Sequence, residues 1–317
     1  MEQRPEILVV GAGPGGSAAA TALAEAGRDV LVVDRASFPR EKVCGDGITP
    51  MGVATLRRLG CLDAVEAAGA VPVERVRITG PFGVAFTCGL AELQPETPRA
   101  LVLPRVELDE ILRRRAVEVG ARWAGAVRVE RIVREGDRVT RLEAVTGEGR
   151  VTFRPEHVVI AVGASTALLR RSRFVRRRPQ SIRTMRAYYG GAEHAPDQYD
   201  FFFDLELMPG YGWVFPCPGG QVNVGIGVPP TLWASRRPLR ALFKEFVERR
   251  RRSGILSRAR RTGPLRGYPL RIDFPSAATA GSNWVLVGEA AGLANPVTGE
   301  GIALALESGL LAAESIH

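Results

Sequence analysis

The segment from Ile7 to Arg35 constrains this chain more than any other stretch. Residues 7–10, Ile-Leu-Val-Val, form a short continuous apolar run, the pattern of a strand buried on both faces. Gly11-Ala12-Gly13-Pro14-Gly15-Gly16 follows, then Ser17 and a small-residue helical stretch from Ala18 to Ala26, with Gly27 where a helix would stop. A second apolar run, Val30 to Val33, ends at Asp34-Arg35. This order is a βαβ unit with a GxGxxG in its turn. Gly11 makes the tight turn, Gly13 lets the backbone approach a pyrophosphate, and Gly16 permits close helix–strand packing. Pro14 and Gly15 complete the turn, and the helix amino terminus behind it stabilises phosphate charge. Asp34, about twenty residues on, stands where a carboxylate accepts from a ribose hydroxyl, with Arg35 beside it. The motif alone leaves open whether the dinucleotide is FAD or NAD(P).

At 317 residues the chain exceeds the roughly 250–300 at which one hydrophobic core stops growing, so two packed units are expected. Apolar residues at 45% and charged residues at 24% are ordinary for globular proteins, which excludes a disordered, collagen-like or disulfide-scaffold chain. No stretch approaches about 18 uninterrupted apolar residues, so no transmembrane segment is expected, and membrane contact would be peripheral. Glu2, Arg4 and Glu6 lead straight into an apolar strand, unlike a signal peptide, and the chain reads as cytoplasmic.

The net charge of +9 is carried almost wholly by arginine, with Lys42 and Lys244 the only lysines. One run comprises Arg170, Arg171, Arg173, Arg176, Arg177 and Arg178, and another Arg249 to Arg252. Phe174 is the one aromatic within either run and neither carries the glycine motifs of a nucleic-acid binder, so no nucleic-acid partner is expected. The second run follows Glu245 and Glu248 and reads as a solvated helix face. Long-range attraction leaves an acidic partner, such as a carrier protein or a lipid diphosphate, open. Cys44, Cys61, Cys88 and Cys217 form no CxxC pair and no metal-ligand spacing with His157, His194 and His317. They read as reduced thiols, with His157 at the end of a strand, and neither a metal site nor a histidine triad is expected.

Near the carboxyl end, Trp284-Val285-Leu286-Val287 is another buried strand, leading into Gly288-Glu289-Ala290-Ala291-Gly292. Asn295-Pro296-Val297-Thr298-Gly299-Glu300-Gly301-Ile302 follows, and then a helical segment. Paired glycines before a helix present free backbone N–H groups and a positive dipole end.

These strings resemble the FAD-dependent oxidoreductases of the glutathione-reductase type, in the branch that shares the p-hydroxybenzoate hydroxylase architecture. Within it the chain is most similar to geranylgeranyl reductases, with flavin-dependent halogenases as cousins. Besides the fingerprint and the Gly288–Ile302 string, two segments carry the resemblance: Phe38-Pro39-Arg40-Glu41-Lys42-Val43-Cys44-Gly45-Asp46-Gly47, close to PR-x-K-x-CG-x-G, and Pro209-Gly210-Tyr211-Gly212-Trp213-Val214-Phe215-Pro216 with Val224 to Gly227 behind it. The resemblance implies an α/β chain: a Rossmann-like FAD-binding domain with an inserted, mostly antiparallel β-sheet substrate domain. Residues 1–70, 105–165 and 281–317 would form the first, and 71–104 with 166–280 the second. Short alternating strands at Arg75–Thr79, Val84–Cys88, Arg183–Tyr189, Phe201–Leu207 and Val222–Val228 suit the insert.

The resemblance also implies roles. Arg105, leading the helical stretch to Val119, should contact the flavin end of FAD, and the backbone near Val127 should meet adenine. Glu289 should bind a ribityl hydroxyl, and Cys44 and Gly45 should lie beside the isoalloxazine. The helix terminus at Pro296, Gly299, Gly301 and Ile302 should face the flavin pyrimidine, with Gly288 in the same cradle. Cys44 reads either as a small loop-filling residue or as a group that tunes the flavin or donates a proton. Tyr211 and Trp213, two residues apart on one strand face, should line the substrate cavity.

Three departures from the family stand out. Glu289 replaces the family's aspartate, and Val162, in Ala161-Val162-Gly163-Ala164-Ser165, stands where the branch has an aspartate serving FAD and NADPH. The sequence also ends soon after the terminal helix, where relatives usually continue with helices that cover part of the substrate cavity. The leading expectation is hydride transfer from reduced FAD to a carbon–carbon double bond of an apolar, isoprenoid-type substrate, free or carried by a lipid or carrier. The electron donor would be a reduced nicotinamide or a partner flavoprotein. One alternative is an oxygen-using monooxygenase or halogenase, whose Trp-x-Trp-x-Ile-Pro signature is half met by Tyr211 and Trp213. The other is a flavin-binding protein without turnover.

Overall fold

A computed structural model describes residues 1–175, 179–229, 237–274 and 278–316. Arg176, Arg177 and Arg178 of the first arginine run lie outside the described residues. Four strands, apolar but for His157 at the start of one, build the middle of a parallel sheet. Its order is Trp284–Leu286, His157–Ile160, Ile7–Val10, Val30–Val33 and Arg122–Ala124, with Ala280–Gly281 antiparallel at one edge. His157 thus opens its strand, pairing with Ile7, where the sequence suggested that it closes one. Helix Pro14–Glu25 covers one face and packs against the terminal helix Ile302–Ile316 through small residues. Gly309 is needed there, since a β-carbon on it would fall 2.3 Å from the Gly15 carbonyl oxygen.

The second large element is an eight-stranded sheet. Ser181–Gly190, Gln221–Val228, Tyr211–Cys217 and Gln198–Phe202 are antiparallel neighbours, and Gln198–Phe202 then pairs in parallel with Arg75–Thr79, from the earlier inserted stretch. The strand expected over Phe201–Leu207 starts earlier and stops at Phe202. Beyond it the chain turns, because Asp204 points inward to a salt bridge with Arg250 at 3.0 Å. That pair also corrects the reading of Arg249–Arg252 as a solvated face. Arg250 is buried, stacked over Phe202 and Phe246 at 4.0 and 4.9 Å, on the side of helix Leu239–Arg252 that covers the sheet. Another departure concerns the stretch after residue 165. Leu169 and Phe174 join the core that includes Leu8, Val10 and Ile160, so this part packs with the parallel sheet and not with the inserted one.

Candidate cofactor and substrate site

A cavity of about 750 Å³ lies between the carboxyl ends of the parallel strands and the uncovered face of the large sheet. Gly11 turns the chain out of its strand at φ 106°, and a β-carbon there would meet the Ala161 carbonyl oxygen at 2.4 Å. At Gly16 a β-carbon would fall 1.8 Å from the Gly11 oxygen, so this position is closed by packing and does not reach the cavity. Gly13 differs. Its nearest neighbours for a β-carbon are guanidinium nitrogens of Arg40 at 3.6 Å and Arg105 at 3.9 Å, which leaves open space over the backbone. Both arginines bind the buried carboxylate of Asp109: Arg105 in a fork at 2.6 and 2.8 Å, Arg40 at 2.8 Å. Two guanidinium charges on one carboxylate leave a surplus positive charge beside a bare glycine and a helix start, a setting suited to a pyrophosphate.

Asp34 is buried at the rim. Its Oδ2 accepts from the Ala12 N–H and its Oδ1 from the Ala36 N–H, both at 2.9 Å, so the carboxylate also holds the loop that it borders. The Val127 N–H donates to the Asp34 carbonyl at 2.8 Å, which brings Val127 to the same end of the cavity as exposed Arg35. At the other end, Gly288, Glu289 and the segment Pro296–Ile302 line the wall. Asn295 shapes that segment by accepting from the N–H groups of Val297 and Thr298 at 2.9 and 3.1 Å. Glu289 Oε1 accepts from the Arg271 N–H at 3.1 Å, and Lys42 lies 3.9 Å from Oε2. Burial pushes the Glu289 carboxyl up and the Lys42 ammonium down, each partly offset by the other. Glycine cradle, paired guanidinium groups and acceptor-bordered rim together fit FAD.

Tyr211, Trp213 and Phe215 alternate along one strand and face the cavity with Tyr199 and Phe201. The intervening Gly212 faces the helix, where a β-carbon would fall 2.2 Å from the Phe246 ring. Tyr211 donates its hydroxyl to the Thr298 carbonyl, tying the large sheet to the carboxyl-terminal loop. The Trp213 indole lies across Gly225, where a β-carbon would be 2.1 Å from the ring. Its N–H donates to Asn223 Oδ1 at 3.0 Å.

Cys44 and Gly45 line the cavity beside this wall, where a β-carbon on Gly45 would lie 3.4 Å from the Trp213 indole nitrogen. Burial pushes the Cys44 thiol up, against the pull of the Arg105 guanidinium. Three residues to which the sequence assigns no role hold this loop. Asn223 Nδ2 donates to the Cys44 carbonyl at 2.9 Å and to Asp46 Oδ2 at 2.8 Å, and the Tyr188 hydroxyl donates to the same Asp46 oxygen. Asn223 had one local signal: a fully buried polar residue between Val222 and Val224. Asp46 adopts φ 64° and sits inside the string quoted above, while Tyr188 carries no signal in its own segment.

Of the residues singled out from the sequence, all but Gly16 border this one cavity, and Val162 borders it as well. Among the described residues, no group of three His, Cys, Asp or Glu side chains is placed to hold a metal, and no helix is long and apolar enough to cross a membrane.

Comparison with known proteins places these features in a family. Residues 4–189 match the FAD binding domain family, and residues 181–259 match the geranylgeranyl reductase catalytic domain. A menaquinone reductase of Mycolicibacterium smegmatis is 35% identical over 99% of this chain and 76% of its own length. Digeranylgeranylglycerophospholipid reductase 1 of Methanopyrus kandleri is 32% identical over 98% of this chain and 79% of its own. A crystal structure of a geranylgeranyl bacteriochlorophyll reductase-like protein from Thermoplasma acidophilum superposes with a TM-score of 0.85 at 25% identity, covering all of this chain and 78% of that one. Cradle, cavity wall and both domain matches agree, and the chain belongs to the geranylgeranyl reductase family of FAD-dependent oxidoreductases.

Proposed function

We propose that this FAD-dependent oxidoreductase saturates carbon–carbon double bonds of an isoprenoid chain borne on a lipid or quinone head group. The aromatic wall carries the reading. Tyr199, Phe201, Tyr211, Trp213 and Phe215 present one continuous face, with adjoining ring centroids 4.3 to 6.3 Å apart. Such a face stabilises a hydrocarbon chain at about 25 cal/mol per Å² removed from water and keeps water from the Cys44 side. The relatives named for menaquinone and for digeranylgeranylglycerophospholipid support a substrate of this class.

When bound and reduced, FAD supplies the hydride. In this reading Gly11, Gly13, Pro14 and Gly15 receive the pyrophosphate with Arg40 and Arg105, and Asp34, Arg35 and Val127 border the adenosine. Gly45, Gly288, Glu289, Pro296, Gly299, Gly301 and Ile302 border the flavin, while Gly16 packs the helix. Cys44, kept as a neutral thiol by burial, is the acid that faces the double bond. Tyr211 and Trp213 hold the chain against it. Val162, where the branch carries aspartate, argues for a partner flavoprotein over direct reduction by NADPH.

The test is anaerobic incubation of the dithionite-reduced protein with a geranylgeranylated lipid or a menaquinone. Gain of one H₂ per double bond by mass spectrometry, with flavin reoxidation, is the expected result. No product anaerobically, but product in a parallel aerated reaction with uptake of one O₂ per molecule, would replace the reading with oxygenase or halogenase chemistry. Absence of any turnover would replace it with a binding role.

A further inference from the structure

The aromatic wall does not stop inside the cavity. Trp213 pairs with Phe201, Phe201 with Ile78 and Ile78 with Phe86, so these four side chains form one row across four strands on the cavity side of the large sheet. Exposure rises along the row, from 7% at Trp213 to 41% at Ile78 and 65% at Phe86. Phe86 belongs to the edge strand Ala85–Gly89, and the turn before it carries Phe82 and Val84, 85% and 78% exposed. Gln198–Phe202 runs parallel to Arg75–Thr79, so the loop after Phe202 leaves the sheet at the same end as this turn. The Phe203 N–H fixes the two together by donating to the Thr79 carbonyl at 2.9 Å. That loop exposes Leu205 and Met208 and continues into Pro209, Gly210 and Tyr211, which border the cavity. Six of the thirteen large apolar side chains exposed among the described residues thus gather at one end of one sheet, a clustering that scattered surface residues do not show.

The charges sort in the same direction. Between Glu74 and Glu92 the chain has no acid, and its only charged residues are Arg75 and Arg77. Arg75 pairs with Asp197, whereas Arg77 is exposed and forms no ion pair among the described residues. Glu74 and Glu92 flank the other end of the hairpin, where Arg75 pairs with Gly89. Of the acids in the neighbouring loop, Asp204 is taken by Arg250 and Glu206 by Arg249. The apolar end of the sheet therefore carries one unmatched cation and no unmatched anion among the residues named.

We propose that this end of the sheet docks on an anionic lipid bilayer, with the row from Phe86 to Trp213 as the path by which an isoprenoid chain passes from the bilayer into the cavity. Phe82 and Val84 enter the acyl region, and Arg77 meets lipid phosphates. At about 3.4 Å per residue Arg77 stands roughly 10 Å behind the turn, which is head-group depth when an apolar tip sinks by about 5–10 Å. A bilayer is favoured over a protein partner because the exposed face is continuous with a cavity wall suited to a hydrocarbon chain. The path rests on the reduction proposed above; the docking itself does not.

The test is flotation of the FAD-loaded full chain with vesicles of phosphatidylcholine, with and without phosphatidylglycerol. The variants are the double substitution Phe82→Ser with Val84→Ser, and Arg77→Gln. All three side chains are exposed and none borders the cavity, so the variants should keep the parent's melting temperature. The parent should float best with the anionic vesicles. The double substitution should lower its partition coefficient by at least about tenfold on both kinds of vesicle. Arg77→Gln should lower it by about fivefold on the anionic vesicles alone. With reduced protein under anaerobic conditions, the double variant should saturate a geranylgeranylated lipid dispersed in detergent at the parent's rate. With the same lipid in dilute vesicles, its rate should fall by a factor similar to the loss of binding. A parent that does not float, or a double variant that floats equally well, overturns the docking surface. A dimer in vesicle-free buffer that the double substitution dissociates also overturns it, and gives the face to a second copy of the chain. Equal losses of rate in detergent and in vesicles overturn the path. If the parent saturates no isoprenoid double bond in either medium, the reduction reading fails by itself, and flotation still decides the docking.

Discussion

A β-carbon at Gly13 meets only the flexible ends of Arg40 and Arg105, whereas at Gly16 it runs into backbone. The two positions therefore separate binding from folding. Gly13→Val should purify colourless, with a melting temperature close to that of the FAD-free parent, because its side chain fills cofactor space and not core. Gly16→Val should lower the melting temperature of the FAD-free protein itself. A yellow Gly13→Val protein would refute the cradle. Cys44 makes the second residue-level case. Cys44→Ala should retain FAD and slow reoxidation by an alkene by at least about tenfold from the first turnover on, the low end for a lost general acid. Its reoxidation by oxygen should change far less, and stopped-flow absorbance follows both reactions.

At the scale of elements, helix Leu239–Arg252 shows how a charged run misleads. Four consecutive arginines read as solvated, yet Arg250 faces inward because Asp204, 46 residues earlier, awaits it beneath Phe202 and Phe246. Arg250→Ala leaves that carboxylate buried without its cation and should destabilise the protein by about 3 kcal/mol or more in urea unfolding. Arg252→Ala, which breaks only an exposed pair with Glu248, should stay within about 0.5 kcal/mol. Equal losses would mean that the buried pair contributes nothing special. The elements legible in advance were those whose signal is local: the strand–turn–helix at Ile7–Glu25, the buried strand at Trp284 and the glycine string before Ile302. Phe201–Leu207 was misjudged because its end is set by a distant salt bridge and not by its own alternation.

The same division holds for the whole molecule. The cofactor cradle was readable because each motif spells out one wall of it. The node that joins the walls was not, since Asp46 meets Tyr188 and Asn223 across 142 and 177 residues of sequence. Electron supply also belongs to this scale. Val162 lines the cavity where the branch has a carboxylate, so NADPH should bleach the bound flavin slowly under anaerobic conditions and dithionite rapidly. Fast, saturable bleaching by NADPH would show that the carboxylate is dispensable.

The parallel pairing of Gln198–Phe202 with Arg75–Thr79 has an engineering consequence. The substrate-facing sheet is stitched from two stretches of chain, with the strand Arg122–Ala124 and the strand His157–Ile160 of the other sheet threaded between them. No single crossover point can then graft a foreign substrate wall onto this cradle. A chimera with another reductase has to exchange both stretches together, along with the Asp46 loop that Asn223 and Tyr188 grip, or it will pair a wall with a seam cut for a different one.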